Sequence, residues 1–286
     1  MALQHSNVCR KLKYQYRMGA SMAKKLKSSE TMEGEEGVQY HIGLKPGEVC
    51  QNILLCGDPA RAEKVAGEFS EVKVERRNRE YVTYTGVWNG IDVTVMSTGI
   101  GCDNTEIAVV EILNIVENPL LIRIGSCGAL QPFINLGDLV ISTAAVRLEN
   151  TSLYFVPEGY PAVAHYRVVQ ALEESARKLG YRYHVGLTAT APGFYGAQGR
   201  AVNFPLMKPD TVDKLSKLNV YNMEMEASTL FTLASIKGLM AGAVCAVYAQ
   251  RIARHGIPSD VKERAERACY LTGLNAIAVL RTGKQM

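Results

Sequence analysis

The sequence predicts a single α/β domain, and two observations carry that reading. From Gln51 onward, short apolar runs of strand length alternate with longer segments bounded by caps and glycines. The composition, 47% hydrophobic and 21% charged over 286 residues, is that of a globular chain able to bury a sizeable core. A third observation marks a candidate site. In Leu121 to Asp138, LIRIGSCGALQPFINLGD, Arg123 interrupts an apolar strand, and Gly125, Ser126, Cys127 and Gly128 follow. A guanidinium among apolar residues needs an anion or acceptor. Small residues after a strand leave backbone N–H groups and a hydroxyl accessible. The stretch leaves two readings open: a pocket for a small anion at a strand end, or a core arginine paired with a structural carboxylate.

The elements follow in order. Residues 1 to 36 form a charge-segregated tail, in which Arg10, Lys11, Lys13, Arg17, Lys24, Lys25 and Lys27 precede any acidic residue and Glu30, Glu33, Glu35 and Glu36 follow. Its composition predicts disorder, with a mitochondrial presequence as a second reading. The domain is placed at residues 37–286. Ile53 to Cys56 reads as a strand, followed by Asp58 as N-cap and Pro59 opening a helix to about Phe69. Tyr81 to Trp88 and Ile91 to Ser97 flank Asn89-Gly90, a hairpin signal. Asp103 and Glu106 suggest a capping box for a helix to about Glu117. Strands are expected at Leu120 to Ile124, Leu139 to Ala145, Val185 to Ala191 and Ala241 to Tyr248. Helices are expected at Arg167 to Leu179, Asp210 to Leu218 and Ser228 to Ile236, with a last helix capped by Ser259 and running to about Leu280. Residues 146–166 and 192–209 read as irregular.

The bulk numbers exclude some classes. No apolar run reaches the length of a membrane span, so no membrane partner is expected. The net charge of +4 owes much to the tail and does not argue for nucleic acid. The seven cysteines are odd in number and contain no CxxC pair. They indicate reduced thiols, a cytoplasmic setting and no zinc site. Cys127 reads as a small packing residue, since no histidine accompanies it in sequence.

Three constellations carry chemistry. Arg61, Arg79 and Arg123 each present a planar fork suited to phosphate, and Arg61 and Arg123 stand beside glycine-rich strand ends. Phe194-Tyr195-Gly196-Ala197-Gln198-Gly199-Arg200 offers an aromatic to stack on a base and an amide that donates and accepts along one edge, or, taken in isolation, a polar loop tip. Glu224-Met225-Glu226 offers a carboxylate for vicinal hydroxyls, or a favourable charge at a helix start. Gly99-Ile100-Gly101 lacks the third glycine of a dinucleotide fingerprint and reads as a tight turn at the site wall.

With these residues in view, the chain from about Tyr40 to the last helix resembles the uridine phosphorylase family of the nucleoside phosphorylase superfamily. The matching segments are His41-Ile-Gly-Leu, Gly57-Asp-Pro-Ala-Arg61, Arg79-Glu80, Ser97-Thr-Gly-Ile-Gly101, Arg123-Ile-Gly-Ser126, Phe194-Tyr, Gln198-Gly-Arg200 and Glu224-Met-Glu226. The resemblance implies the nucleoside phosphorylase fold, a mixed central sheet that is partly barrel-like and flanked by helices. It implies phosphorolysis of uridine to uracil and ribose 1-phosphate, with deoxyuridine and thymidine left open. Phosphate would be held by Gly57, Arg61, Arg123 and Ser126, with Arg79 from a neighbouring subunit. The base would meet Phe194, Gln198 and Arg200, with Arg251 behind them setting the Gln198 amide. The ribose would meet Met225 and Glu226, with His41 from the neighbour. Arg123, Gln198 and Arg200 would be the catalytic residues. The working unit would be at least a homodimer, with a hexamer open. No organic cofactor and no catalytic metal are expected, and phosphate is a co-substrate. Bacterial relatives hold a monovalent cation between subunits with Glu80 and a serine, but Asn104 stands in the serine's place. The region Tyr248-Ala-Gln250-Arg251 lacks the acid that purine-cleaving relatives use. The competing readings are a purine nucleoside phosphorylase or nucleosidase, and a nucleoside-binding homologue without turnover.

Overall fold

A computed structural model describes residues 29, 30 and 32–282. Most of the expected tail lies outside these residues. Its described end turns back on the domain: Gly34 N donates to Val38 O (2.8 Å) and Tyr40 N to Met32 O (3.1 Å).

Eleven strands among the described residues form one mixed sheet. They are β1 (Asn52–Cys56), β2 (Glu71–Asn78), β3 (Tyr81–Trp88), β4 (Ile91–Ser97), β5 (Leu120–Ala129), β6 (Leu139–Arg147), β7 (Ala162–Val163), β8 (Tyr183–Thr190), β9 (Val220–Glu224), β10 (Ala241–Gln250) and β11 (His255–Gly256). The helices are α1 (Pro59–Ala66), α2 (Cys102–Leu113), α3 (Tyr166–Lys178), α4 (Thr211–Lys217), α5 (Ala227–Ile236) and α6 (Ser259–Thr282). Strand β10 pairs with both β5 and β6, and β6, β8, β9 and β5 follow one another, so five strands close into a barrel. Strands β1, β4, β3 and β2 extend from β5 as a wing. This is the mixed, partly barrel-like sheet that the resemblance implied. No helix among the described residues is long and apolar enough to cross a membrane.

Burial explains the layers. Strand β1 is buried throughout, as expected of a parallel strand between β4 and β5. Leu54 and Cys56 pack toward α1, α3 and α6, and Ile53 and Leu55 toward α2 and α5. A smaller cluster of Cys127, Ala129, Ile134, Val140, Cys245 and Val247 joins β5, β6 and β10.

Several boundaries differ from expectation. The small residues after Arg123 do not leave the sheet: β5 continues to Ala129 because β10 pairs along it, from Ala241↔Leu121 to Gln250↔Ala129. Gly125 has a steric reason, since a Cβ there would lie 2.8 Å from the Arg123 guanidinium and from Cys245 Sγ. The expected capping box does not form. Helix α2 starts after Gly101, and Asp103 instead accepts from the Thr151 hydroxyl. Strands β2 and β9 were not expected, α1 ends at Ala66, and the span 146–166 contains β7.

Candidate active site

A cleft of about 550 Å³ opens at the carboxyl ends of the parallel strands β1, β5 and β10. This is where an α/β sheet places its ligands, and the size suits a small molecule.

Gly57, Asp58 and Arg61 line one end. The Asp58 side chain accepts from Ala60 N (2.9 Å) and fixes the start of α1. Arg61 is buried, donates to Glu266 (2.9 Å) and to Ile124 O (3.2 Å), and reaches the Tyr248 hydroxyl (3.5 Å). Burial would raise the Glu266 pKa, but Lys64 and Arg61 outweigh it and hold the carboxyl below its usual range. Ser126 also lines this end.

Of the two readings left open by the sequence, the structure shows the arginine paired with carboxylates, and it puts Arg123 where an anion pocket would need it. Arg123 lines the cleft, and it is also a buried arginine paired with carboxylates. Its Nε donates to Glu224 (2.9 Å) and its Nη2 lies 2.5 Å from Glu226. Burial works against its charge, but Glu226 and Glu224 outweigh burial and hold its pKa above the usual value. Glu226 is shifted upward, mainly by burial, although Arg123 opposes the shift. Glu226 also accepts from Gly101 N (2.7 Å). Gly99 (φ 73°) and Gly101 (φ 106°) are in the left-handed region, so the Gly-Ile-Gly segment is the expected tight turn at the site wall. Met225 lines the cleft between the two glutamates.

The loop between β8 and α4 supplies the far end. Gln198 is buried and its Oε1 accepts from Arg200 Nη1 (2.5 Å), which also donates to Phe194 O (2.5 Å). Arg200 stacks on Phe194, with 3.7 Å from Cζ to the ring centroid. Burial, with repulsion from Arg251, lowers the Arg200 pKa to about 10, so it stays charged at neutral pH. Arg251 does not touch the Gln198 amide as expected. It donates to the Gln198 main-chain oxygen (2.9 Å), and Arg200 orients the amide.

Arg79 and His41 are not among the lining residues. They sit together elsewhere on the chain. Asn78 donates to Tyr40 O (3.1 Å) and His41 O (2.7 Å), while Arg79 lies over the Tyr40 ring at 5.3 Å. The His41 Nδ1 faces Glu111 at 2.6 Å, which leaves Nε2 on the outer edge of the ring.

Sequence reasoning gave no site role to Tyr248 beside Arg61 or to Lys262 from the first turns of α6, and it named Glu224 without foreseeing it as a partner of Arg123. Tyr248 lies in the segment already singled out for its missing acid, which was its only signal. Burial and the neighbouring Cys245 push the Cys127 thiol up, which suits packing and not nucleophilic attack.

A sequence profile of the Phosphorylase superfamily matches residues 52–278. The uridine phosphorylase of Thermococcus kodakarensis is 47% identical over 262 residues, covering 91% of this chain and 92% of that protein. A Trypanosoma brucei nucleoside phosphorylase whose crystal structure shows uridine phosphorylase activity superposes with a TM-score of 0.82 at 26% identity, covering 86% of this chain and 98% of that one. The purine nucleoside phosphorylase of Toxoplasma gondii, in complex with immucillin-H, superposes with a TM-score of 0.77 at 31% identity, covering 87% and 98%.

Proposed function

The chain belongs to the uridine phosphorylase family of the phosphorylase superfamily, and from that premise we propose how its cleft carries out the phosphorolysis of uridine. The reaction is reversible and yields uracil and ribose 1-phosphate. The fold is shared with purine enzymes, so the base preference must come from the site.

One observation carries the pyrimidine reading. Gln198 is buried with its amide oriented by Arg200, while the carboxylates lining the cleft are Asp58, Glu224 and Glu226, all toward the arginine end. The second lone pair of Gln198 Oε1 suits the N3–H of uracil, and its Nε2 suits the adjacent carbonyl. Cytosine lacks that N–H and would leave buried polar groups unpaired. The resemblance implies an acid near the end of the matching strand in many purine-cleaving relatives, where this chain has Tyr248, Gln250 and Arg251.

Phosphate, bound by Arg61, Arg123, Gly57 and Ser126, attacks C1′ as the glycosidic bond breaks. The bonding electrons pass to uracil, whose developing charge Arg200 stabilises. Met225 and Glu226 hold the ribose, and Phe194 lies along the base. Deoxyuridine and thymidine are candidate further substrates.

The enzyme works as a homodimer or a larger assembly, in a reducing cytoplasm. Arg79 and His41 lie together and outside their own cleft, which supports their donation to a partner's site. The described cysteines are all free thiols, which supports the compartment. Mixed dimers of Arg79→Ala and Arg123→Ala chains should regain activity, because one of their two sites is then intact; continued inactivity of confirmed mixed dimers would contradict the shared site.

The test of function follows uridine and inosine by absorbance, with and without phosphate. Uridine should be cleaved only with phosphate, and in preference to inosine. Preferential cleavage of inosine, or base release without phosphate, would overturn the reading.

A further inference from the structure

Glu224 has no assigned part in binding, yet its side chain is 0% exposed and uses both oxygens. Its Oε2 accepts from Arg123 Nε (2.9 Å), Glu226 N (2.8 Å) and Ala227 N (2.9 Å). Its Oε1 accepts from the Thr190 hydroxyl (2.5 Å). Thr190 Oγ1 in turn accepts from Ser228 N (2.9 Å), and the Ser228 hydroxyl donates to Glu149 (2.8 Å). A carboxylate with four protein donors has little capacity left for substrate. It does, however, tie Arg123, from the phosphate end, to the backbone of Glu226 at the ribose end.

A second carboxylate lies against the Arg123 guanidinium, since Nη2 is 2.5 Å from Glu226 Oε2. A bidentate hold on phosphate needs two N–H groups on one edge. With Nε on Glu224, the edge left is Nη1–Nη2, and one of its two nitrogens is ion-paired with Glu226. Two carboxylates on one guanidinium also give the cluster a negative charge, which opposes entry of an anion. Ribose hydroxyls that hydrogen-bond Glu226 would loosen its hold on Nη2.

We infer that Glu224 is a positioning residue: it anchors Arg123 through Nε while Nη2 changes partner, from Glu226 to phosphate once ribose engages Glu226. This rests on the ribose and phosphate subsites proposed above. An uncharged nucleoside therefore strengthens oxyanion binding, and by linkage the oxyanion strengthens nucleoside binding by the same factor.

The experiment is titration calorimetry with sulfate, which occupies the phosphate subsite without turnover. Saturating uridine should tighten sulfate binding about tenfold in the wild type, within the usual range of coupling between sites. Uracil alone, lacking the ribose, should leave it unchanged. Glu224→Gln should reduce the coupling to less than about twofold, and Thr190→Val to an intermediate value, with Thr190→Ser restoring it. Equal sulfate affinity with and without uridine in the wild type would overturn the inference. So would full coupling in Glu224→Gln or, if that variant does not fold, in Thr190→Val. A purely structural Glu224 would lower stability and leave the coupling intact. Uridine turnover with phosphate is measured on the same preparation: turnover without coupling removes the role of Glu224 alone, and no turnover counts against the functional reading.

Discussion

The arginine end of the cleft and the base end are built differently. Arg61 and Arg123 sit on α1 and β5, buried, each locked to a carboxylate from a distant element. Gln198 and Arg200 sit on a loop, their contacts almost all within the segment from Phe194 to Arg200. At the first end the groups that would bind phosphate also hold the domain together. At the second end the groups that would read the base hold mainly their own loop, with a hydrogen bond from Arg251 as a link beyond it. Substitutions at the arginine end should therefore change stability and activity together, and those at the base end activity alone.

The largest effect is expected for Arg123→Ala, which strands Glu224 and Glu226 in a buried site. Loss of one partner of a buried ion pair costs about 3–5 kcal/mol. Denaturant unfolding should show that loss, and phosphate kinetics should show a fall in kcat/KM of at least about a thousandfold, as for loss of a major transition-state contact. Gln198→Leu should be the opposite case. Its rate with uridine should fall by about a hundredfold, on the scale of one lost donor at the charge-bearing atom, with weaker rejection of cytidine. Its unfolding free energy should change by less than about 1 kcal/mol, as the partly exposed Arg200 keeps Phe194 O as an acceptor. Equal destabilisation by the two variants would erase the contrast between the ends.

A smaller effect sharpens the same contrast. The Glu266 carboxyl is held below its usual range in the folded chain, so its contribution to stability is complete above the ordinary carboxylate pKa. It is lost as pH falls through the folded value. Thermal unfolding of the wild type should therefore lose stability on acidification more steeply than Glu266→Gln. The variant should also raise KM for phosphate a few-fold, because Arg61 loses its anchor. Parallel pH curves for the two proteins would show that the Arg61–Glu266 pair carries no such stability.

The sequence made one half of each pair legible. Arg123 stood out because a charge within an apolar strand has no local explanation, and Arg61 because it follows a capped helix start beside a glycine. Their partners were not legible. Glu224 lies 101 positions from Arg123 and Glu266 lies 205 from Arg61, and only the folded sheet brings them together. The hairpin at Asn89-Gly90 was readable because both positions adopt positive φ (48° and 76°), which that dipeptide tolerates. Strand β2 was missed because EVKVERRN lies mostly exposed beside β3 and its apolar alternation is only Val72 and Val74. The length of β5 was misjudged because Gly125-Ser126-Cys127-Gly128 has loop chemistry. Pairing with β10 keeps it extended, and the guanidinium of Arg123 needs the space that Gly125 leaves. Lys262 reaches the cleft only through the docking of α6, and nothing near it in sequence marks it.

The measurement closest to the central claim is the identity of the sugar product. Phosphorus NMR of a reaction with uridine and inorganic phosphate should show ribose 1-phosphate appearing one for one with uracil. Free ribose accompanying the uracil, with inorganic phosphate unconsumed, would contradict it.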